Sequence, residues 1–225
     1  QNKGDKKAEI LIYDSIGAGW MGGISANDFA RDLKALGDLE EINVRINSDG
    51  GSVFDGITIY NTLISHKARV TVDIDGLAAS IASTIAMAGD TVRIADNAMF
   101  MIHDPWVVAA GSAAELREQA DLLDQVRDQL VKTYVARSTA NAETVSELMA
   151  AETWMSSEQA LEYGFVDEVT EAIKIAAHVH KDRFKNCPET LLDKSSETDT
   201  INNIQNLPAS KKVLEIRARL RARKL

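Results

Sequence analysis

The chain has 225 residues, 45% of them apolar and 26% charged, and a formal net charge of -9. That length accommodates one sizeable α/β core plus an appendage, and the acidity argues against a surface devoted to nucleic acid. Cys187 is the only cysteine, which excludes an intramolecular disulfide and a cysteine-based metal site.

Residues 8–13 contain Ile10, Leu11, Ile12 and Tyr13 and predict a buried strand. A glycine-rich turn through Gly17, Gly19, Gly22 and Gly23 leads to Ser25, a cap for a helix over residues 25–36. Ile42, Val44 and Ile46 alternate as a second strand. Gly50-Gly51 follows it, and Ser52 with Asp55 signals the start of another helix. Val70, Val72 and Ile74 predict a third strand that enters a small-residue turn, Gly76-Leu77-Ala78-Ala79-Ser80-Ile81-Ala82-Ser83. A buried helix over residues 80–87 and strands over 92–94 and 99–102 come next. This alternation predicts a layered α/β fold with parallel pairing at its centre, so reactive groups belong at strand ends and helix starts.

From Ser112 the pattern changes. Ser112 and Glu115 fit a capping box, and Leu116, Ala120, Leu123, Val126, Leu130 and Tyr134 form one stripe of a long helix over residues 112–137. Shorter helices are predicted over 142–150 and from Ser156 to about Gly164. Residues 186–208 are rich in Ser, Thr, Asn and Asp. The expected organisation is a domain over 1–180, a polar linker over 181–209 and a basic helical tail over 210–225. The tail holds seven Lys or Arg and one Glu, a net +6, which leaves -15 on the rest.

Ser80 lies where a hydroxyl can be held rigidly at a cleft. A serine is a poor nucleophile without a base, and His103 in Met101-Ile102-His103-Asp104-Pro105 can supply one. A carboxylate must then orient the imidazole; Glu152 is the first candidate and Asp167 the second, because alternation turns Asp104 away from His103. Gly50 and Gly51 can bring backbone N–H groups to the cleft, and the N–H groups of Gly51 and Ile81 are the expected oxyanion donors. The plainer alternative for Ser80 is a cap on the following helix. Gly-x-x-x-x-Gly-Lys spacing is absent, which argues against a phosphate loop.

At these residues the chain resembles the Clp peptidase family of self-compartmentalised serine proteases, and within it the phage and prophage head-maturation branch. Four ordered blocks carry the resemblance: Ile46-Asn47-Ser48-Asp49-Gly50-Gly51; the Gly76 to Ser83 block; the Met101 to Pro105 block; and Glu152-Thr153-Trp154-Met155-Ser156 with the segment ending in Val166-Asp167. The resemblance implies a crotonase-like (ClpP-type) α/β spiral of β-β-α units with a projecting handle helix at about 112–137. It implies Ser80 as nucleophile, His103 as base, Glu152 as acid where cellular relatives usually carry Asp, and Gly51 with Ile81 at the oxyanion. Gly50 and Gly51 would bind an extended substrate, and Asp49 stands where the family usually has proline. No cofactor or metal is implied.

The implied function is serine endopeptidase action inside a homo-oligomeric chamber of stacked heptameric rings, processing phage scaffold or capsid proteins, with or without an unfoldase ATPase. The alternatives are acyl-CoA hydratase or isomerase chemistry on the same fold, and a catalytically inactive assembly protein. No secretory leader or bilayer-length apolar run is evident, so the expected setting is the host cytoplasm or an assembling procapsid, with neither membrane nor nucleic acid as partner.

Overall fold

The computed structural model describes residues 6–18, 23–174, 179–180, 183–191 and 212–214. The first half alternates β1 (Lys7–Ile12), α1 (Ala26–Ala35), β2 (Glu41–Ser48), α2 (Val53–Ile64), β3 (Arg69–Ala79) and α3 (Ile81–Ala86). Then come β4 (Thr91–Ala95), β5 (Met99–Ile102), α4 (Ala113–Arg137), α5 (Ala142–Ala150), β6 (Thr153–Met155), α6 (Ser157–Glu162), β7 (Glu168–Thr170) and β8 (Lys212–Leu214). Strands β1, β2 and β3 pair in parallel, with Ile10 opposite Val44 and Val44 opposite Val72. The α/β class with a parallel centre is the one the alternation predicts.

One strand organises the site. The first half of β3 pairs with β4 over Thr71 to Ile74, and its second half pairs with β5 over Leu77 to Ala79. Against β2 the register shifts between Ile46 and Ser48, so Ile46 faces Ile74 but Ser48 faces Ala78. The extra β3 residues bend the strand there. Arg45 clasps Asp75 at this bend through two bonds of 2.7 and 2.6 Å, and Tyr13 donates its hydroxyl to the same carboxylate. Burial pushes the Tyr13 pKa far up, so that hydroxyl keeps its proton. The sequence predicts a turn from Gly76; the structure instead continues the strand to Ala79, because β5 supplies a second set of backbone partners.

Strand alternation separates two faces. Val70, Val72, Ile74 and Ala78 enter the main core, together with Val92, Ile94, Phe100 and Ile102. On the opposite face, Asp73 pairs with Arg93 at 2.6 and 2.8 Å. Past the bend the same face turns apolar: Leu77, Ala79 and Met101 form a second buried cluster with Trp154, Val179 and Phe184.

The Ser112–Glu115 capping box is present and starts a 25-residue helix. Leu130, Val131 and Tyr134 are buried at its C-terminal end, whereas Leu116 and Leu122 near its start are exposed. The helix therefore anchors at one end and projects at the other. Strand β6, absent from the sequence prediction, pairs antiparallel with β5.

Two expectations for the C-terminal region change. Residues 183–191, assigned by composition to the linker, include a segment seated on the second apolar cluster, where Phe184 finds cover. Lys212–Leu214 lie in the span expected to be a basic helix, yet they form a strand parallel to β1, satisfying the backbone groups of that edge. Gly19 and Gly22 of the glycine-rich turn lie outside the described residues, as do most of the linker and the remaining tail.

Candidate active site

Ser80 ends β3 and precedes α3 with φ 56° and ψ -132°. A non-glycine residue rarely adopts this region, and it costs about 1–3 kcal/mol unless its surroundings hold it there. The holding contacts are specific. Ser80 N–H donates to Met101 O at 3.0 Å, which extends the β3–β5 ladder by one residue. The buried Ser83 hydroxyl lies 2.6 Å from Ser80 O, 2.8 Å from Met101 O and 2.8 Å from the Tyr134 hydroxyl. Ser80 makes no side-chain cap bond to α3. The plain capping role is therefore not what fixes this serine.

Its hydroxyl goes to a histidine. His103 Nε2 lies 2.8 Å from Ser80 Oγ. The register explains why: Ala79 faces Met101 across the ladder, and His103 follows two residues later on the same face as Met101. Burial holds the His103 pKa below its ordinary value, Glu152 pulls it upward, and Lys185 pushes it down. The net lowering keeps the imidazole neutral near pH 7, the form that can accept a proton.

Gly50 of the glycine pair packs closely beside Ser80 and Ile81. Gly50 has φ 90° and Gly51 φ 145°. A Cβ on Gly50 would lie 2.7 Å from both Ser80 Cβ and Ala79 O, and 3.2 Å from Ile81 N, so only glycine permits this approach. Ile16 N–H donates to Gly50 O at 2.7 Å, and Ile16 O accepts from Ser52 N–H at 2.8 Å. These bonds flank Gly51 on one side and turn its own N–H to the other. Ile81 is the first residue of α3, where a helix leaves its N–H groups without intrahelical acceptors.

The three acid candidates occupy different surroundings. Asp167 is held by Val92 N–H and Arg137, at the β4–α4 side of the fold. Asp104 faces the long helix, where burial raises its pKa and Arg127 and Asp124 act on it. Glu152, at φ 51°, is close enough to act electrostatically on His103. Its carboxylate accepts from Lys185 N–H at 3.0 Å, Asn186 N–H at 2.7 Å and Trp154 Nε1 at 3.4 Å. Among the described residues no hydrogen bond joins Glu152 to His103.

The Lys185 and Asn186 contacts belong to a strap, residues 179–180 and 183–186 among those described, that also reaches Asp49 and the His103 ring. Asp49, 3% exposed, accepts from His180 N–H at 3.0 Å and meets His180 Nδ1 at 2.5 Å; Arg183 and Ser15 reach its other oxygen at 3.3 and 3.1 Å. Phe184 then lies 5.6 Å from the His103 ring and 5.2 Å from Trp154, centroid to centroid. Sequence reasoning missed this strap because its polar residues mask two apolar anchors; Val179 and Phe184, five apart in a charged stretch, were the available signal.

Comparison with known proteins bears on what this arrangement is. The family model described as Clp protease matches residues 6–172, which is most of the chain. The chain belongs to the Clp protease family. The ATP-dependent Clp protease proteolytic subunit of Leuconostoc citreum (strain KM20) is 36% identical over 141 residues, 61% of this chain and 70% of that protein. A mutant ClpP1 from Listeria monocytogenes has a similar structure, with a TM-score of 0.63 at 28% identity over 72% of this chain and 91% of that one. The fold is thus the ClpP-like α/β fold. The Clp protease match ends at 172, so the strap lies beyond it.

Proposed function

We propose that this chain is a serine endopeptidase whose nucleophile is Ser80, and the 2.8 Å Ser80–His103 contact on a strained strand-to-helix junction carries that reading. His103 takes the Ser80 proton as Oγ attacks a peptide carbonyl. The N–H groups of Gly51 and Ile81 receive the developing oxyanion. His103 then protonates the departing amine, and water, deprotonated by the same imidazole, releases the acyl group from Ser80. Glu152 supports the imidazolium through its charge. Substrate lies extended beside Gly50 and Gly51, joined by main-chain hydrogen bonds.

A nucleophile–base pair is not required for acyl-CoA hydration or isomerisation, which favours peptide hydrolysis over that alternative. The Leuconostoc relative's name, a proteolytic subunit that is ATP-dependent, supports polypeptides as substrates and a partner ATPase as an optional feeder. Head-maturation substrates, scaffold and capsid proteins, are the finer proposal, supported by the resemblance to the phage branch. Homo-oligomerisation, with stacked rings as the expected form, is supported by the exposed apolar side chains Trp106, Val107, Val108, Leu116 and Leu122 around the projecting end of α4. No helix among the described residues is long and apolar enough to cross a membrane.

The test is cleavage of an unfolded polypeptide such as casein. Ser80→Ala is expected to lower turnover by about 10³-fold or more. Cleavage by Ser80→Ala at the parent rate would contradict the nucleophile assignment.

A further inference from the structure

The strap packs on Asp49, Glu152 and the His103 ring, beside the place where the peptidase reading puts a polypeptide substrate. Its two ends are held differently. At Glu152 the partners are the backbone N–H groups of Lys185 and Asn186, contacts open to almost any residue type. At Asp49 charged or polar side chains join one backbone N–H: the imidazole and N–H of His180 and the guanidinium of Arg183. Phe184, between them in the chain, and Val179, just ahead of His180, pack on the apolar patch of Leu77, Ala79 and Met101.

Asp49 is built as a recognition group. Its carboxylate is almost wholly buried, and its neighbour Gly50 abuts Ser80. Within the domain the Ser15 hydroxyl, a neutral donor, reaches it at 3.1 Å. A buried carboxylate needs charged or multiple donors to offset its desolvation, and here the strap supplies them.

We infer that Asp49 is a specificity-determining residue that seats a basic side chain, Arg or His, of an extended polypeptide next to Ser80, and that His180 and Arg183 of the chain itself occupy this seat in competition with substrate. The inference rests on the peptidase reading for the identity of the competing ligand; the occupancy of the seat does not depend on catalysis.

The experiment uses full-length protein carrying His180→Ala and Arg183→Ala, which releases the tether from Asp49. A fluorescein-labelled peptide of residues 179–186, Val-His-Lys-Asp-Arg-Phe-Lys-Asn, is titrated in and followed by anisotropy. It is expected to bind, and replacing its His and Arg by Ala is expected to weaken binding by at least about tenfold, the loss of a charge-assisted contact. Asp49→Asn in the protein should weaken binding of the parent peptide similarly. The peptide substitutions leave the protein untouched, so a folding defect in Asp49→Asn cannot obscure the outcome. No binding, or equal binding by the Ala-substituted peptide, would overturn the inference. Because anisotropy needs no turnover, an inert Ser80 would defeat the peptidase reading alone. In the same proteins, a fluorophosphonate should modify Ser80 at least about fivefold faster once the tether is released, and the free peptide should slow it again; an unchanged rate on release would also count against the strap as a competitor.

Discussion

Ser80 is stored in a backbone conformation that its neighbours enforce, and the chemistry proposed for it depends on those neighbours as much as on its hydroxyl. Met101 O, Ser83 and Gly50 each constrain it from a different direction. Burial holds the pKa of His103, the proposed base, below its ordinary value. A His that must be neutral to accept a proton loses activity only as pH falls through that lowered value, so the acidic limb of kcat/KM is expected below pH 6.5. Glu152→Gln removes the influence that raises this pKa. The limb should then move to still lower pH while the plateau falls about tenfold or more through lost support of the imidazolium. A pH–rate profile separates this from a structural role, which would lower the plateau without moving the limb. The positions of His103 and the glycine pair just past strand ends were legible in the sequence because alternating or continuous apolar runs precede them. The surroundings of Glu152 were not, because its carboxylate is engaged by residues more than thirty positions away in a stretch that reads as linker.

Elements matter here through what they press against Ser80. Helix α2 approaches α3 so closely that a Cβ on Gly56 would come 2.1 Å from Ile81 Cγ1. Gly56→Ala is expected to cost about 1–3 kcal/mol through overpacking and to displace Ile81, one of the proposed oxyanion donors. Thermal melting would show the first effect, and a lower kcat with unchanged KM the second. The long helix is tied to the same region by Tyr134, whose hydroxyl lies 2.8 Å from both Ser83 and Thr84. Burial pushes its pKa up to about 12, so it remains a donor across the working range. Tyr134→Phe should cost about 1–3 kcal/mol by leaving buried hydroxyls short of a partner, measured by denaturant unfolding. Helix positions were legible because Ser25, Ser52, Ser112 and Ser156 all cap as their spacing suggests. The length of β3 was not, since Gly76 and two alanines have weak strand preference and are held extended by pairing with β5 and with Ser48 of β2.

For the whole molecule, the division of labour runs along α4 and the strap. The loop before α4 leaves Val108 (88% exposed) uncovered, and the projecting half of α4 leaves Leu122 uncovered. Val108→Asp with Leu122→Asp is expected to shift sedimentation of the protein from an oligomer to smaller species; an unchanged distribution would mean that subunits meet elsewhere. The long helix was visible as a stripe of apolar residues, but its stripe could not show which half would be buried. That depends on where α5, α3 and the sheet end. The strap was hidden for a related reason: two apolar side chains in a polar run give no periodicity, and their partners Leu77, Ala79 and Met101 become a patch only after the sheet forms. The central claim, that His103 activates Ser80, is tested most directly by treating full-length protein with a fluorophosphonate and mapping the adduct by peptide mass spectrometry. The expected result is one adduct, on the peptide containing Ser80, lost in Ser80→Ala and strongly slowed in His103→Ala. An adduct elsewhere, or an unmodified Ser80 in both the parent and the His180→Ala, Arg183→Ala protein, would contradict it.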